Sequence, residues 1–493
     1  MRSQSEFPKI IRNTSIIGAS QILVILILII KAKLTAILIG PIGMGLVYAL
    51  TNVTGLIGTI SNFGLGTIAI KNISKVNTLG NGFLLARMVR TYWCLAFLTG
   101  TIGLLLVIVL SSYLSEVAFD NSEYANTFII ISITLLLAQI NTGQFTVLPS
   151  LNKFKEFAIS NIVSGIVILL FTVVIFYTYG LKGVAATIVT SSLIPPIVNY
   201  YYIRKIKIFK VKLKLRRIIN YGYELLNLGT SISLTRIMPL VSTLVLNAFI
   251  VRVGGIGEVG LYNAGFVIMF GYTGVIFKAM EPEYFSRLSA ESQKSLSSGV
   301  PVNQQIEIAM LLIAPLIMGI LFLTEISLLL LYSADFLVLT DMVKLGMLGL
   351  FLKALTWPLP YVFLVKNDSK LYFLNELFFN LMFLVCSIFF YFHYGIIGLG
   401  YSFFLASIAN TIFLISTLKI KYRFSINKEN KRIFAYHGLL LCLGFVVNKS
   451  ISFKFSWFFE LILISSSLAI SYYYLSKRLN FRELILHKIP FFK

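Results

Sequence analysis

Residues 157–203 read FAISNIVSGIVILLFTVVIFYTYGLKGVAATIVTSSLIPPIVNYYYI, and this stretch decides the fold. It consists of two apolar runs, 157–178 and 183–203, which are joined by Tyr179-Gly-Leu-Lys-Gly183. Its one charged residue, Lys182, lies in that junction. A helix needs about 20 apolar residues to cross a hydrocarbon core about 30 Å thick. The stretch is therefore predicted to form two membrane-spanning helices connected by a tight turn.

Apolar runs of this length recur along the whole chain. Fourteen spans are predicted near 14–38, 43–70, 92–112, 127–149, 157–178, 183–203, 224–251, 260–280, 305–327, 341–365, 371–392, 397–418, 433–448 and 456–475. The 493 residues are 57% hydrophobic and 12% charged, whereas soluble domains are about 25% charged. The predicted fold class is an all-α integral membrane protein with about fourteen transmembrane helices and no soluble catalytic domain.

The basic residues predict the orientation of the chain, because Lys and Arg are retained in cytoplasmic loops. With a cytoplasmic N-terminus, cytoplasmic segments receive 33 of the 42 Lys and Arg residues and external loops receive four. The segment 204–217, RKIKIFKVKLKLRR, alone holds eight. This asymmetry explains most of the net charge of +23 without a nucleic-acid partner. The chain is predicted to be a multi-pass protein of the bacterial inner (plasma) membrane with both termini in the cytoplasm.

Two pairs of glycine-rich connections indicate an internal repeat. Tyr179-Gly-Leu-Lys-Gly183 and Tyr394-Gly-Ile-Ile-Gly398 are offset by 215 residues, and segments 40–46 and 254–261 are offset by 214 to 215. The repeating unit contains six spans, so both halves keep the same orientation in the membrane. Repeats of this kind are related by an axis along the membrane normal and form the substrate path at their interface. We predict six-helix bundles at 1–217 and 218–423, with two added helices and a cytoplasmic tail at 424–493.

The motifs at the openings of the halves resemble those of Wzx-type O-antigen flippases. The matching residues are Gly40-Pro-Ile-Gly-Met-Gly-Leu46, Gly64-Leu-Gly66 with Lys71, and Met280-Glu-Pro-Glu-Tyr-Phe-Ser-Arg-Leu288. Such flippases belong to the multidrug/oligosaccharidyl-lipid/polysaccharide exporter (MOP) superfamily. The resemblance implies movement of an undecaprenyl-pyrophosphate-linked oligosaccharide, an O-antigen or other surface-polysaccharide repeat unit, across the inner membrane during lipopolysaccharide or related biosynthesis. It also implies the lipid-linked oligosaccharide, membrane lipids and other enzymes of the same pathway as partners.

Cationic residues inside the predicted spans are candidates for binding a pyrophosphate. A charge within the bilayer costs at least about 2.5–3.5 kcal/mol on insertion scales, so such residues are functional candidates. Arg236 and Lys353 each lie twelve residues into a span, and a water-filled cationic cavity is the favoured interpretation. Lys31 and Lys33 are further candidates, although lysines near a span end also extend to the interface. Lys344 is expected to lie at the interface.

Amide side chains in two spans are candidates for a polar sugar path. They are Asn52 and Asn62 in the second span, and Gln139, Asn141 and Gln144 in the fourth. Sugars require donors and acceptors of this kind. Hydrogen bonding between neighbouring helices explains the same residues equally well.

Two carboxylates, Glu224 and Glu376, are candidates for coupling transport to a proton or sodium gradient. Both lie near predicted cytoplasmic span ends, where pairing with a nearby Lys or Arg is the simpler interpretation. No other cofactor is expected, because the sequence contains no P-loop and no metal-ligand spacing. The expected role is that of a transporter, not an enzyme.

Two alternative functions stay open. An ion-coupled multidrug antiporter of the same superfamily should carry a carboxylate in the middle of a span, and none is evident in the sequence. A membrane-embedded polysaccharide polymerase should have a long external loop with catalytic Arg or His. The external loops here are short and poor in both residues.

Overall fold

The described part of the chain is helical. The computed structural model describes residues 7–206, 211, 236–271, 273–292, 299–450 and 453–478. These residues contain helices, turns and short connections and no β-strand. This confirms the predicted all-α fold class. Contact clustering divides the chain into two compact units: an N-terminal unit, Met1–Gly260 with Leu330–Asp335, and a C-terminal unit, Leu261–Leu329 with Phe336–Lys493.

The N-terminal unit contains helices α1 to α10. They are α1 (Phe7–Asn62), α2 (Leu65–Thr78), α3 (Gly82–Val109), α4 (Ser111–Phe119), α5 (Ala125–Ile131), α6 (Ile133–Phe145), α7 (Val147–Ser150), α8 (Phe154–Tyr179), α9 (Val184–Arg204) and α10 (Arg236–Gly254). One apolar core joins α1, α3, α5, α8 and α9 around residues such as Leu50 and Phe128. A second core joins α2, α3 and α7 around Ile73 and Leu148.

The C-terminal unit contains the remaining helices, of which α11 and α14 cross the boundary between the units. They are α11 (Ile256–Phe266), α12 (Thr273–Ser292), α13 (Val300–Phe322), α14 (Thr324–Leu331), α15 (Thr340–Thr356), α16 (Pro360–Val365), α17 (Ser369–Tyr394), α18 (Ile396–Tyr422), α19 (Lys428–Ser450) and α20 (Phe453–Arg478). Helix α15 packs against α13 and α18, and α19 and α20 pack against α13. The predicted division at 217/218 and 423/424 stays a prediction.

Nine helical stretches within the described residues are long and apolar enough to cross a membrane, or ten with the bent pair Ile256–Gly271 and Thr273–Ser289. Two of the nine, Ser20–Asn62 and Phe154–Arg204, have 43 and 51 residues, about twice the length that one crossing needs. Each contains a glycine break in the middle. The chain is therefore a multi-pass membrane protein, and the number fourteen stays a prediction.

The two repeat copies share their local backbone geometry at the breaks. Gly180 and Gly395 end α8 and α17 with φ values of 53° and 59° and ψ values of −132° and −143°. Gly40 and Gly255, also 215 residues apart, both have positive φ, at 61° and 85°. Glycine adopts such angles without steric cost. The repeat read from the sequence therefore corresponds to equivalent turns in the structure.

Gly45 and Gly260, which are equivalent positions of the two copies, meet at a close contact inside the N-terminal unit. A Cβ atom on Gly45 would overlap the Ile256 carbonyl oxygen and lie 3.1 Å from the Gly260 nitrogen. A Cβ atom on Gly260 would overlap the Pro41 carbonyl oxygen and lie 2.8 Å from the Gly45 nitrogen. The absence of side chains at both positions lets the backbones of α1 and α11 touch.

The expectation that Lys344 lies at the interface is wrong. Lys344 is 8% exposed. Its Nζ atom donates to Asn448 Oδ1 and lies 3.8 Å from Glu325 Oε1. Asn448 in turn donates to Glu460 Oε1 at 3.1 Å. The ammonium is buried because this polar network between α14, α15, α19 and α20 replaces its water, which hydropathy alone does not reveal.

Candidate substrate cavity

A polar cavity of about 720 Å³ lies within the N-terminal unit. Its volume falls in the range of about 300–1,000 Å³ that is common for small-molecule sites. The walls come from α1, α2, α6 and α9, with one residue from the start of α10. The lining residues are Thr51, Thr54, Gly55, Gly58, Thr59, Asn62, Gly64, Gly66, Ile70, Thr134, Leu135, Ala138, Gln139, Asn141, Thr142, Phe145, Thr146, Ile188, Ser192 and Arg236.

Helix α1 contributes one stripe of small and polar residues to the wall. Thr51, Thr54, Gly58 and Asn62 follow one another at intervals of three or four residues. Positions at that spacing share one face of an α-helix. The opposite faces of the same segment carry Leu50, Val53 and Ile57, which are buried in the apolar core. The sequence therefore turns the polar stripe towards the cavity.

The wall contains a break between α1 and α2. The predicted continuous span 43–70 is interrupted because Phe63 and Gly64 both have positive φ, at 50° and 67°. Asn62 stabilises the new helix start, since its Oδ1 accepts from the Leu65 backbone nitrogen at 3.0 Å. Serine, threonine, aspartate and asparagine commonly cap helix N-termini in this way. The break brings Asn62, Gly64 and the first turn of α2 to the cavity.

Helix α6 is fixed against α3 and α1 by polar contacts. Trp93 Nε1 donates to the Gly143 carbonyl oxygen at 3.0 Å. Gln139 Nε2 donates to the Gly58 carbonyl oxygen at 3.3 Å. Gln139 is 3% exposed, and its Oε1 has no hydrogen-bond partner within the described structure. A buried acceptor without a partner is costly, so Gln139 has hydrogen-bonding capacity left for a bound molecule or water.

An amide pair connects α6 to α9 beside the cavity. Asn199 Nδ2 donates to Asn141 Oδ1 at 2.8 Å, and Asn199 is 2% exposed. The bond fixes the orientation of the Asn141 amide at the cavity wall. Asn141 therefore combines both interpretations drawn from the sequence, a cavity residue and an interhelical hydrogen bond.

The hydroxyl groups of the wall present acceptors to the cavity. Their hydrogens go to carbonyl oxygens of their own helices: Thr54 donates to Leu50 at 3.0 Å and Thr142 to Ala138 at 2.9 Å. Thr59, Thr134, Thr146 and Ser192 bond in the same manner. A hydroxyl has one hydrogen to donate and two lone pairs to accept with. These side chains can therefore accept hydrogen bonds from a ligand without losing their own.

Arg236 supplies the charge of this site. It is the first residue of α10, and its side chain is exposed. It is the one ionisable side chain among the described lining residues, which include no carboxylate. Guanidinium offers five donors in a planar fork that matches phosphate oxygens in pairs. The wall therefore combines an anion-binding donor with a row of acceptors for hydroxyl groups.

Four residues that the sequence analysis singled out line this one cavity: Asn62, Gln139, Asn141 and Arg236. Asn52 and Gln144 lie on the same helices as lining residues but are not part of the lining. Each has a buried amide atom, Nδ2 of Asn52 and Oε1 of Gln144, without a hydrogen-bond partner in the described structure. The roles of all six stay predictions.

The predicted cations do not all lie at this cavity. Lys31 and Lys33 are half-buried on α1 and are not lining residues. Lys33 Nζ donates to the carbonyl oxygen of Tyr332, so Lys33 has an acceptor within the protein. Both lysines stay predictions as substrate-binding residues.

Lys353 belongs to the C-terminal unit, where its Nζ lies 4.6 Å from the ring centroid of Phe379. A cation over an aromatic face is stabilised electrostatically. Glu376, three residues before Phe379 on α17, interacts electrostatically with the same ammonium. The two candidates are therefore neighbours, which the sequence analysis did not foresee. Glu224 lies outside the described residues.

The threonines of the wall were missed by the sequence analysis. Attention went to charges and amides, whereas Thr51, Thr54, Thr142 and Thr146 form most of the acceptor surface. A signal was available, because threonine, glycine and asparagine recur at helical spacing over 51–62. Scoring that periodicity for small polar residues would have identified the wall of α1.

Comparisons with known proteins assign the family and the fold. A family model described as "Polysaccharide biosynthesis protein" matches residues 10–281, more than half of the chain. No curated protein sequence matches the chain.

Solved structures of several transporters share the fold. A structure titled as the lipid II flippase MurJ in an inward closed conformation has a TM-score of 0.69 at 16% identity, covering 96% of this chain and 100% of that one. An inward-facing multidrug resistance MATE family transporter of the MOP superfamily has a TM-score of 0.63 at 15% identity, covering 81% and 95%. A MOP superfamily transporter from Pyrococcus furiosus has a TM-score of 0.52 at 14% identity, covering 83% and 94%. The chain has the fold of MOP superfamily transporters and belongs to the polysaccharide biosynthesis protein family.

Proposed function

We propose that this protein is a flippase that moves an undecaprenyl-pyrophosphate-linked oligosaccharide across the inner membrane by alternating access. The cargo is an O-antigen or another surface-polysaccharide repeat unit. The observation that carries the proposal is the cavity of the N-terminal unit, where one arginine stands beside a wall of hydroxyl and amide groups.

The chemistry of the cavity suits a sugar linked to a phosphate. Sugar hydroxyls are donors, and the threonine hydroxyls of the wall retain lone pairs that can accept from them. Gln139 and Asn141 add amide groups at the same surface. A phosphate group matches the arginine fork, and such charge-assisted bonds are about twice as strong as neutral ones. Arg236 would bind the pyrophosphate, and the threonine and amide wall would bind the first sugars.

The comparisons support a lipid-linked cargo at the level of class. The family description concerns polysaccharide biosynthesis, and one similar structure is titled a lipid II flippase. A transporter of repeat units fits both descriptions. An inner-membrane location with cytoplasmic termini, and cooperation with other enzymes of the same pathway, belong to this proposal.

Lys353 and Glu376 have a second role in the proposal. Lys353 is a further contact for the anionic cargo, and Glu376 is its counter-charge when the site is empty. Glu376 and Glu224 are the candidates for coupling transport to a proton or sodium gradient. Lys31 and Lys33 are secondary candidates for the cationic path.

A multidrug antiporter has less support. A cationic drug requires a counter-charge, and the described lining residues contain Arg236 and no Asp or Glu. The MATE neighbours share the fold at 15% identity or less, which does not carry a substrate from one protein to another.

The test is deletion of the gene in its host, followed by complementation. Surface polysaccharide and lipid-linked repeat units would be quantified in strains that express the wild type, Arg236→Gln, Lys353→Ala or Arg252→Gln at equal levels. Arg252 is the matched control, because it lies on α10 outside the cavity and pairs with Asp120 at 2.8 Å. Hydrogen bonds to charged groups are worth about 1.5–3 kcal/mol, so Arg236→Gln should lower flipping about 10- to 150-fold.

We expect the deletion strain to lose surface polysaccharide and to accumulate lipid-linked units on the cytoplasmic face. Arg252→Gln should restore both, and Arg236→Gln should not. Unchanged surface polysaccharide and precursor in the deletion strain would refute the proposed function. Drug susceptibility of the same strain would then test the antiporter alternative.

A further inference from the structure

A second cavity, of about 510 Å³, lies within the C-terminal unit and has no role in the proposed function. It is enclosed by α15, α18, the connection between α18 and α19, and the first turns of α19. Its lining residues are Leu352, Leu355, Ile408, Thr411, Ile412, Ile415, Lys419, Phe424, Ser425, Ile426, Asn430, Lys431 and Phe434. Most of the wall is apolar, and both cationic residues belong to the helix ends that meet at one short connection.

The cavity has a charged end and an apolar end. Lys419 lies near the end of α18 and Lys431 lies in the first turn of α19, and residues 423–427 join the two helices. Both lysines are therefore close to the same turn. Ile408 lies eleven residues earlier on α18, which corresponds to about 16 Å along the helix. One leaflet of a bilayer has a hydrocarbon depth of about 15 Å, half of the full core.

The two lysines are available for an anion. Both are exposed. The carboxylates of this region pair with other cations: Asp368 with Lys421, and Glu307 and Glu429 with Arg478. No carboxylate lines the cavity among the described residues. The start of α19 adds the positive end of a helix dipole at the same place.

The cavity wall is rigid and contains a buried acceptor. The Phe434 ring stacks on Phe351 with centroids 5.2 Å apart and planes 7° apart. Asn430 is wholly buried, and its Nδ2 donates to the Asn303 carbonyl oxygen at 2.8 Å. Its Oδ1 has no partner within the described structure. An unused acceptor in the wall suits a ligand that carries a hydroxyl group.

We infer that this cavity binds an anionic glycerophospholipid, with the phosphate at Lys419 and Lys431 and an acyl chain along α18 towards Ile408. The basic residues of 419–432 place this end in the cytoplasmic leaflet under the predicted orientation, and that leaflet carries anionic lipids. Ile412 is 62% exposed, so the cavity opens to the lipid through an apolar side. A glycerol headgroup would also supply the hydroxyl that the Asn430 acceptor lacks.

The inference is tested by native mass spectrometry of the purified full-length protein, titrated with phosphatidylglycerol and with phosphatidylcholine of the same acyl chains. The test variant is Lys419→Gln with Lys431→Gln. The matched control is Lys370→Gln with Lys428→Gln, which removes two exposed lysines outside the cavity. A basic residue near an anionic lipid surface is worth about 1 kcal/mol, so two should change the affinity about thirty-fold.

We expect phosphatidylglycerol to bind the wild type more tightly than phosphatidylcholine does. The test variant should lose about thirty-fold for phosphatidylglycerol and retain its affinity for phosphatidylcholine, which also shows that it is folded. The control should change less than about three-fold. Thr411→Trp, which fills the apolar part, should weaken both lipids.

Three results would overturn the inference. One is equal binding of the two lipids by the wild type. Another is an equal loss in the test and control variants, which would indicate non-specific surface charge. The third is displacement of phosphatidylglycerol by equimolar undecaprenyl phosphate, which would assign the cavity to a polyprenyl chain. The assay measures lipid binding and not flipping, so its outcome is independent of the proposed function.

Discussion

Substitution of Gly45 by alanine should destabilise the protein, because it places a methyl group between two backbones. The new Cβ would overlap the Ile256 carbonyl oxygen and would lie 2.9 Å from the Ile256 carbonyl carbon and 3.1 Å from the Gly260 nitrogen. All three atoms belong to the backbone of the facing segment. No rotation of a side chain can relieve the overlap, so α1 and α11 must separate.

The magnitude follows from two opposing effects. Overpacking a tight contact costs about 1–3 kcal/mol, and a contact made of backbone atoms belongs at the upper end of that range. Alanine is favoured over glycine in a helix by about 0.5–1 kcal/mol. The net destabilisation is about 2 kcal/mol. For a unit of this size 1 kcal/mol shifts the unfolding temperature by about 2 °C, so Gly45→Ala should lower it by about 4 °C.

Gly319→Ala is the matched control, because it makes the same chemical change without the contact. Gly319 lies inside α13, and a Cβ there would have no atom within 4 Å. Only the helix-propensity gain remains, so the unfolding temperature should rise by about 1–2 °C. The assay is thermal unfolding of the purified variants in one detergent, followed by tryptophan fluorescence. A Gly45→Ala protein that unfolds at or above the wild-type temperature would refute the close backbone contact.

Three further predictions concern the cavity and the polar contacts. Thr54→Val and Thr142→Val remove one acceptor each while keeping the side-chain shape, so each should lower flipping about 2- to 10-fold; Thr178→Val, outside the cavity, should not, and normal flipping by both cavity variants would contradict the acceptor wall. Hydrogen bonds from Lys421 and Tyr422 hold the pKa of Asp368 below its usual value of 3.8. The stabilisation from Asp368 is therefore present above that value and is lost as the pH falls through the lowered pKa, so the unfolding temperatures of wild type and Asp368→Asn should converge only at acidic pH. A constant difference from pH 7 downwards would exclude this origin. Arg478→Gln removes the partner of Glu307, whose side chain is 5% exposed, and should destabilise by about 1–3 kcal/mol. In thermal unfolding Glu307→Gln should recover part of that loss in the double variant, exposed Arg432→Gln should have little effect, and a loss as large for Arg432→Gln would argue against a specific pair.

The membrane-spanning segments were predictable because the property that defines them is local. A run such as 157–178 must be helical in lipid, since no water is present to bond an open backbone. The repeat was predictable for a related reason. Glycines with positive φ mark turns, and Gly180 and Gly395 keep the same backbone angles 215 residues apart.

The candidate site was predictable only in part. Amides and arginines inside apolar runs are rare enough to be noticed one by one, and Asn62, Gln139, Asn141 and Arg236 do line one cavity. The threonines of the wall were not noticed, because a single threonine in an apolar helix is unremarkable and bonds its own backbone. The break at Phe63–Gly64 was also missed, since one glycine in an apolar run does not by itself predict a helix end.

The sequence by itself determined that the chain is an all-α membrane protein, where its helices run and that it is built from a repeat. Hydropathy, spacing and glycine positions act over a few turns of helix, so they can be read along the chain. The tertiary structure decided which helix faces meet. Gln139 bonds Gly58 across 81 residues and Lys33 bonds Tyr332 across 299. Such pairs depend on packing between distant helices, because each buried polar group takes the partner that the fold brings within reach.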